Sequence, residues 1–368
     1  MNSKTLRADF LLLLTAAVWG FGFVAQRSGM EHTGPFAFNG VRFILGALSL
    51  LPLILLRRRR AGRAHLAQPS FRRLSAASAA AGSVLFTAVV LQQFGILFTT
   101  AGNAGFITGL YVVFTPFLGM FLGRRTGLPT WIGACFTLAG LYFISAAGQP
   151  SVNPGDVIVI ISAVFWSAHV LLIDRLMHSD FNRAETDKEA DASGCEKDDS
   201  DGKIDAAAQA NLPIDPIELS AGQFALCGAL SLVCAFAAEP HVKGIVSAID
   251  PSLIDDGLFS WLPFPALFSS VADGTVSFPV GALVPVLYGG LCSVGVAYTL
   301  QVVAQRDAPP VHAVIVLCFE GCFAALGGVL LLGETAGART IIGFALMLAG
   351  MMATQLDIQK KNEKPFTE

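Results

Sequence analysis

A carboxylate stands in the middle of a long apolar run: Glu320, between Phe319 and Gly321. A carboxyl group is expensive in hydrocarbon unless it faces a cavity or a partner, so such a residue is a functional candidate by default, and one able to take up and release a proton. Its rival role is structural, capping nearby backbone or pairing with a buried base. Arg42 lies about one and a half turns into another apolar run. There it could attract an anionic solute, pair with a carboxylate, or extend its stem toward lipid headgroups. His169, roughly a turn beyond Trp166, could relay protons or bind solute, and could equally be hydrogen-bonded structure. His312 opens a later run. Neutral hydrogen-bonding groups follow in Gln92 and Gln93, Asn103 and Tyr111, and Tyr298 and Gln301. Some must line a cavity and others tie helices together. Trp19, Trp166 and Tyr298 are the aromatic side chains expected to wall that cavity. Cys318 and Cys322 share a helical face and could suit a soft metal, but buried cysteine usually behaves as a small hydrophobe. P-loop, HExxH, GxSxG and paired Asp-rich motifs are missing from the chain, so no catalytic residue, cofactor or metal is assigned and the chain is not read as an enzyme.

These residues need elements to hold them, and the composition says which. The chain is 54% hydrophobic and 14% charged over 368 residues, with a mean hydropathy of +0.62, too apolar for a soluble domain. Runs of roughly 17 to 24 apolar residues match the hydrocarbon thickness as helices, whereas barrel strands would alternate over about 10. The fold expected is an all-α integral membrane protein of ten transmembrane helices. Spans are predicted at about Phe10–Ser28, Ala37–Leu56, Leu74–Phe94, Ala101–Gly123 and Thr130–Ala147 in the first half. In the second half they fall at about Gly155–Met177, Pro216–Ala238, Val280–Gln301, Val311–Leu332 and Thr340–Leu356. The halves repeat. Ala17-Val18-Trp19 corresponds to Val164-Phe165-Trp166, and Ile132-Gly133 with Leu138-Ala139-Gly140 recurs as Ile342-Gly343 with Leu348-Ala349-Gly350. A unit that crosses five times must be followed by a copy starting on the opposite side, so the repeats are inverted about an axis in the membrane plane and share a cavity between them. The division expected is 1–150 for the first repeat, 151–357 for the second, and 358–368 for a cytoplasmic tail.

Charge sets the orientation. Twenty of the 24 Lys and Arg fall at the termini or in loops on their side of the membrane, which predicts both ends cytoplasmic and a multi-pass protein of the cell membrane. Arg57-Arg58-Arg59-Arg60, with Arg63, Arg72 and Arg73, is read as a topological anchor rather than an anionic-lipid site. The net charge of -3 says little, because more than a third of the acidic residues sit in one insertion, about 178–213. That stretch has almost no bulky apolar residues and is expected to be a disordered cytoplasmic loop. A second insertion, about 239–279, carries Leu258-Phe259-Ser260-Trp261-Leu262-Pro263-Phe264 on the outer side, suited to the membrane interface or to a lid. Six of the seven cysteines lie in apolar runs and Cys195 in the charged insertion, which implies no disulfide framework. Small residues repeat every four positions at Ala101, Gly105 and Gly109 and at Ala324 and Gly328, so close helix packing is expected in the fourth and ninth spans. Pro116 and Gly321, at matching places in the two repeats, mark candidate bends.

These segments resemble the drug/metabolite transporter superfamily, in particular its ten-helix members with two EamA-type repeats. The residues that carry the resemblance are Trp19-Gly20 with Phe23-Val24, Val41-Arg42-Phe43 before the arginine run, Leu91-Gln92-Gln93-Phe94-Gly95, Ala104 through Tyr111, Ala297-Tyr298 leading to Ala304-Gln305-Arg306, and Phe319-Glu320 with Leu332-Gly333-Glu334. It implies both ends inside, a central cavity lined by helices of both halves, and carrier transport of small metabolites or drugs. Gly321 stands where the family commonly has proline after the glutamate, and the first repeat has Thr115-Pro116 with no glutamate. The expected function is a secondary transporter moving a small organic solute by alternating access, against the alternative of a lipid- or isoprenoid-handling flippase or membrane enzyme. The expected solute-binding set is Trp19, Arg42, Gln93, Asn103, Tyr111, Trp166, His169, Tyr298, Gln301 and Glu320. Expected partners are a small-molecule solute, membrane lipids and a second copy of the chain, with no nucleic acid.

Overall fold

The computed structural model describes residues 3–30, 33–60, 71–98, 101–124, 126–144, 154–192, 214–237, 280–324, 326 and 337–362. Every regular element among them is helical. Apolar sequence with closed backbone hydrogen bonding can cross hydrocarbon only in this form or as a barrel, and six of the helices are long and apolar enough to span.

The first repeat consists of α1 (Ser3–Met30), α2 (Pro35–Arg60), α3 (Phe71–Phe98), a broken fourth span made of α4 (Ala101–Thr108) and α5 (Tyr111–Phe121), and α6 (Leu128–Ile144). The second begins with α7 (Pro154–Ala192) and α8 (Pro216–Ala237). Its eighth span runs through α9 (Val280–Leu287), the π-helical α10 (Tyr288–Tyr298) and α11 (Thr299–Ala304). The ninth span starts as α12 (Pro310–Leu317) and the tenth is α13 (Ala338–Asn362). Ten spans bring the beginning of α1 and the end of α13 to one end of the bundle, called here the basic end.

Packing follows the repeat. α6 lies against α13 and α2 against α8, each a span facing its own counterpart. α3 against α7 is matched by α10 against α1, and α3 against α8 by α10 against α2. α5 against α7 is matched by α12 against α1. Such exchange symmetry is what two inverted five-helix repeats produce about a pseudo-two-fold axis. Lipid gives helices no hydrophobic reason to associate, so closeness of approach decides these contacts. A Cβ on Gly133 would fall 2.7 Å from the Gly350 carbonyl oxygen, and one on Gly140 2.6 Å from that of Gly343. Where α2 meets α10, a Cβ on Gly46 would sit 2.3 Å from Val294 Cγ1. Approaches as close occur where α8 meets α3, a Cβ on Gly222 falling 2.2 Å from Ser78 Oγ, and where α3 meets α7, one on Gly95 falling 2.3 Å from Val159 Cγ2. The stripe expected to pack closely on the fourth helix is looser at Gly105, where a Cβ would meet the Phe23 ring only at 3.8 Å.

Two expectations meet a different structure. α7 continues as helix to Ala192, well past the predicted inner end at Met177 and into the insertion expected to be disordered, because Arg183-Ala184-Glu185 through Lys188-Glu189-Ala190 are strong helix formers whatever their polarity. The fourth span breaks at residues 109–110, ahead of Pro116; Pro116 sits inside the continuous α5. The insertion at 239–279, Cys195 and Gly328 lie outside the described residues.

Candidate functional site

Helices of both repeats line a partly open cavity. The first repeat contributes α1 with Trp19, Phe23 and Gln26, α2 with Arg42, α3 with Gln92, and the broken fourth span with Thr108 and Tyr111. The second contributes α7 with Trp166 and Val170, the eighth span with Ser293, Tyr298 and Gln301, and the ninth with Leu317 and Glu320. Gln26 and Phe23 lie late in α1 and Gln92 late in α3, while Arg42 and Thr108 come early in their spans. The cavity thus reaches from the middle of the bundle toward the end away from the termini.

Three irregularities shape it. In the fourth span, Leu110 N–H bonds back only to Ile107 O at 3.0 Å and Val113 N–H to Leu110 O at 2.9 Å, a tightened turn that starts α5 at Tyr111. The ninth span, its counterpart, tightens the same way: Phe319 N–H reaches Val316 O at 3.1 Å and Gly321 N–H reaches Cys318 O at 3.1 Å. By these breaks Tyr111, rather than the Thr115 suggested by the Pro116–Gly321 match in the sequence, is the counterpart of Glu320, each standing just beyond a tightened turn. Discontinuous helices of this kind bring polar groups to the midplane of inverted-repeat carriers. The third irregularity is α10, wider than an α-helix over 11 residues; π segments are rare and concentrate at functional sites. α1 holds it through Thr15 Oγ1 donating to Ala297 O (3.1 Å), Trp19 Nε1 donating to Ser293 O (3.3 Å) and Tyr288 OH donating to Val18 O (2.7 Å).

An aromatic cluster forms one wall. Trp19 lies 4.5 Å from Tyr298 and 6.3 Å from Trp166 between ring centroids, and Trp166 stacks on Tyr298 at 5.8 Å with an 18° interplanar angle. Phe43 and Phe224 back Tyr298 at 5.9 and 5.8 Å. Close rings in offset or tilted arrangements make a rigid apolar surface. Arg42 enters between Phe38 and Phe43, its guanidinium carbon 5.3 and 5.2 Å from their centroids, so cation–π contact holds the charge in place.

The polar lining is largely unpartnered. Gln92 Nε2 donates to Thr108 Oγ1 at 2.9 Å. By contrast Gln26 Oε1, Arg42 Nε, Tyr111 OH, Trp166 Nε1, Gln301 Oε1 and Glu320 Oε1 are buried with no hydrogen-bond partner, and all six belong to residues lining the cavity. Among the described residues neither Arg42 nor Glu320 makes an ion pair. Buried polar groups are normally satisfied, so several orphans converging on one space describe a preformed site for a polar ligand.

Of the residues expected to bind solute, Trp19, Arg42, Tyr111, Trp166, Tyr298, Gln301 and Glu320 come together on this cavity. Gln93 and His169 stand apart from it. Gln93 is fully buried on another face of α3, and His169 Nε2 lies 2.9 Å from Gln223 Oε1 of α8, tying two helices of the second repeat. Asn103 is in α4, with its side chain outside the described residues. Sequence reasoning passed over Phe23, Gln26, Thr108, Val170, Ser293 and Leu317. Gln26 and Thr108 carried a readable signal as polar residues near span ends; the others are common apolar or small side chains with none.

Below the cavity, toward the basic end, polar contacts tie the bundle shut. His312 Nε2 lies 2.6 Å from Asp9 Oδ1 and its Nδ1 3.1 Å from Thr354 Oγ1, joining α1, α12 and α13. Arg124 pairs with Asp174, and Gln305 Nε2 donates to Val170 O at 3.1 Å. Arg57 and Arg58 of the arginine run pair with Asp215 and Glu218 at 3.3 and 2.8 Å. Asp215 also caps α8, its Oδ1 accepting Ile217 N–H at 2.8 Å. Part of the run is thus a link between α2 and α8.

Comparison with known proteins agrees with this architecture. An uncharacterized transporter of Archaeoglobus fulgidus is 30% identical over 171 residues, covering 46% of this chain and 50% of that protein. The uncharacterized inner membrane transporter YedA of Escherichia coli K12 is 27% identical over 156 residues, 41% of this chain and 47% of that protein. The chain therefore spans about half the length of the curated relatives it matches. A solved crystal structure of a protein with 16% identity superposes at a TM-score of 0.63 over 99% of this chain and 100% of its own, a likeness of fold. The EamA-like transporter profile matches residues 6–146 and 257–355, most of the first repeat and the later part of the second. With its two inverted five-helix units, this multi-pass membrane protein belongs to the EamA-like transporter family of the drug/metabolite transporter superfamily.

Proposed function

We propose that the protein is a secondary transporter of the cytoplasmic membrane, with both termini cytoplasmic, that moves a small organic solute by alternating access through the cavity between its repeats. The observation that carries this reading is the convergence of six unpartnered buried polar atoms on one space walled by both repeats. A site on the pseudo-two-fold axis is the one place that a rocking of either unit can expose to each membrane face in turn. The cavity extends toward the end away from the termini, and Asp9–His312–Thr354, Arg124–Asp174 and Gln305–Val170 close the basic end. The arrangement is that of an outward-facing carrier. Opening inward requires those ties to separate while the aromatic wall re-forms on the other side, and the tightened turns at residues 109–110 and 318–319 are the places where the moving spans can flex.

Binding follows from the lining. The Trp19–Trp166–Tyr298 wall accepts the apolar body of a solute, and the unpartnered groups fix its polar ends. Purified protein in liposomes should carry flux of a solute found by thermal-shift screening, since a ligand of the native state raises the melting temperature by mass action. Trp166→Ala should lower both the shift and the flux at least tenfold. A flux unaffected by Trp166→Ala and Glu320→Gln together would remove the cavity from this role.

A further inference from the structure

Behind the aromatic wall lies a polar pair to which the transport reading gives no task. His169 of α7 and Gln223 of α8 are both fully buried, and neither lines the cavity. His169 Nε2 lies 2.9 Å from Gln223 Oε1; an amide oxygen can only accept, so Nε2 carries the hydrogen between them. His169 Nδ1 and Gln223 Nε2 stay buried with no hydrogen-bond partner. A pair that satisfies one atom of each residue and orphans another stabilises a bundle poorly, because the unpartnered groups keep their desolvation cost. Its value lies in what it holds.

What it holds is Trp166. His169 follows it by three residues on α7, so the two side chains are neighbours on one helix face. Their rings stand 6.1 Å apart between centroids with 88° between planes. Trp166 in turn stacks on Tyr298 at 5.8 Å and 18°, and Phe224, next to Gln223 on α8, packs edge-on against Tyr298 at 5.8 Å. Consecutive residues of α8 therefore reach both members of the stacked pair, Gln223 through His169 and Phe224 directly. A histidine ring turns easily about its broad second torsion unless a bond fixes it. Bonded to another helix, it limits the settings open to the indole beside it. α8 also packs along α2 of the first repeat, so a tilt of one unit against the other would reach the wall through this bond.

We propose that Gln223 and His169 are positioning residues of the transport site: their bond holds Trp166 in the setting that stacks on Tyr298 and faces the cavity, and thereby ties the wall to the position of α8. The proposal rests on the reading of the cavity as the transport site and adds to its machinery two residues that a solute never touches.

The test is fluorine NMR of full-length protein in nanodiscs, labelled with 5-fluorotryptophan. The chain has four tryptophans, and Trp166→Phe assigns the Trp166 resonance by its loss. His169→Phe keeps an aromatic ring and removes the bond; Gln223→Met keeps the volume and removes it. Each is expected to shift the Trp166 line by more than its own width or to split it, while the line of Trp131, on α6 and outside the cavity lining, stays in place. The two substitutions combined should move the Trp166 line no further than either alone, because both break the same bond. A Trp166 line unmoved in both variants would overturn the proposal, as would shifts that simply add, the mark of two independent packing effects. Each variant is first shown to keep the size-exclusion profile of the parent; should His169→Phe lose it, Gln223→Met and the shorter Gln223→Asn decide on the Trp166 line alone. No solute enters the measurement, so an unmoved line leaves the transport reading standing. That reading falls separately if a thiol placed in the cavity, as in Ser293→Cys, reacts from only one face of sealed vesicles.

Discussion

At the scale of single residues, this site is built against its own stability. Glu320 and Arg42 are buried without ion-pair partners among the described residues, a state that costs free energy and persists where function requires it. Glu320→Gln replaces a buried carboxyl that has no ion-pair partner among the described residues and is expected to leave the melting temperature unchanged or higher, while flux falls at least tenfold, about 1.4 kcal/mol in the barrier. A lower melting temperature with unchanged flux would make Glu320 a structural residue. These charges were legible because a charge in an apolar run stands out against its neighbours, as did the aromatic trio. Gln92 and Gln93 show where legibility ends. Adjacent helical positions differ by about 100° in direction, both residues are amides, and only the packing of α3 turns Gln92 to the cavity and Gln93 away from it. His169 was conspicuous by the same criterion as Glu320, yet its Nε2 lies against Gln223 of another span, a pairing that only the packing of α7 on α8 reveals.

At the scale of elements, the helices approach through missing side chains. Gly20 brings α1 onto the ninth span so closely that a Cβ would fall 2.6 Å from the Glu320 carbonyl oxygen. Gly20→Val is expected to push that strand of backbone away, moving Glu320 from the cavity and abolishing ligand-induced thermal shifts. Retained shifts would show that the ninth span yields without loss. On the far side of the bundle, Gly350→Leu should separate α13 from α6, where Gly133 and Thr137 leave no room; we expect a destabilisation of about 2 kcal/mol or more, typical of overpacking, read as a fall in melting temperature. The spans themselves were readable from apolar length and the repeat from its matching Trp-containing and Gly-containing segments. The π-helical α10 and the breaks at residues 109–110 and 318–319 were not. Their residues, among them Gly289, Gly290 and Gly295 or Leu110 and Phe319, are ordinary in membrane helices. It is tertiary contact from Thr15, Trp19 and Tyr288 that accompanies the widened turn.

At the scale of the whole molecule, two inverted units share one cavity, and the proposed transport exposes it by tilting one unit against the other. Reporter fusions at Met1 and Glu368 are expected to read the cytoplasmic face, as ten crossings and the arginine distribution require; opposite faces would mean an odd number of spans. The ties at the basic end should weigh on the equilibrium between outward and inward states. Asp174 is almost fully buried against Arg124, whose own exposure tempers the pair. Asp174→Asn is expected to destabilise the outward state by about 1–3 kcal/mol, seen as increased modification of cavity positions from the cytoplasmic side. Unchanged modification would confine the pair to local structure.

Alternation itself can be tested before the solute is known. Ser293 lines the cavity and is 4% exposed, so Ser293→Cys in a background with every native cysteine replaced places one thiol at the shared site. Its reaction with a membrane-impermeant maleimide is then measured separately from each face of sealed vesicles. Modification from both faces, faster from the outside, is the expected result. Modification from one face alone, or from neither, would contradict a site that the two repeats open alternately.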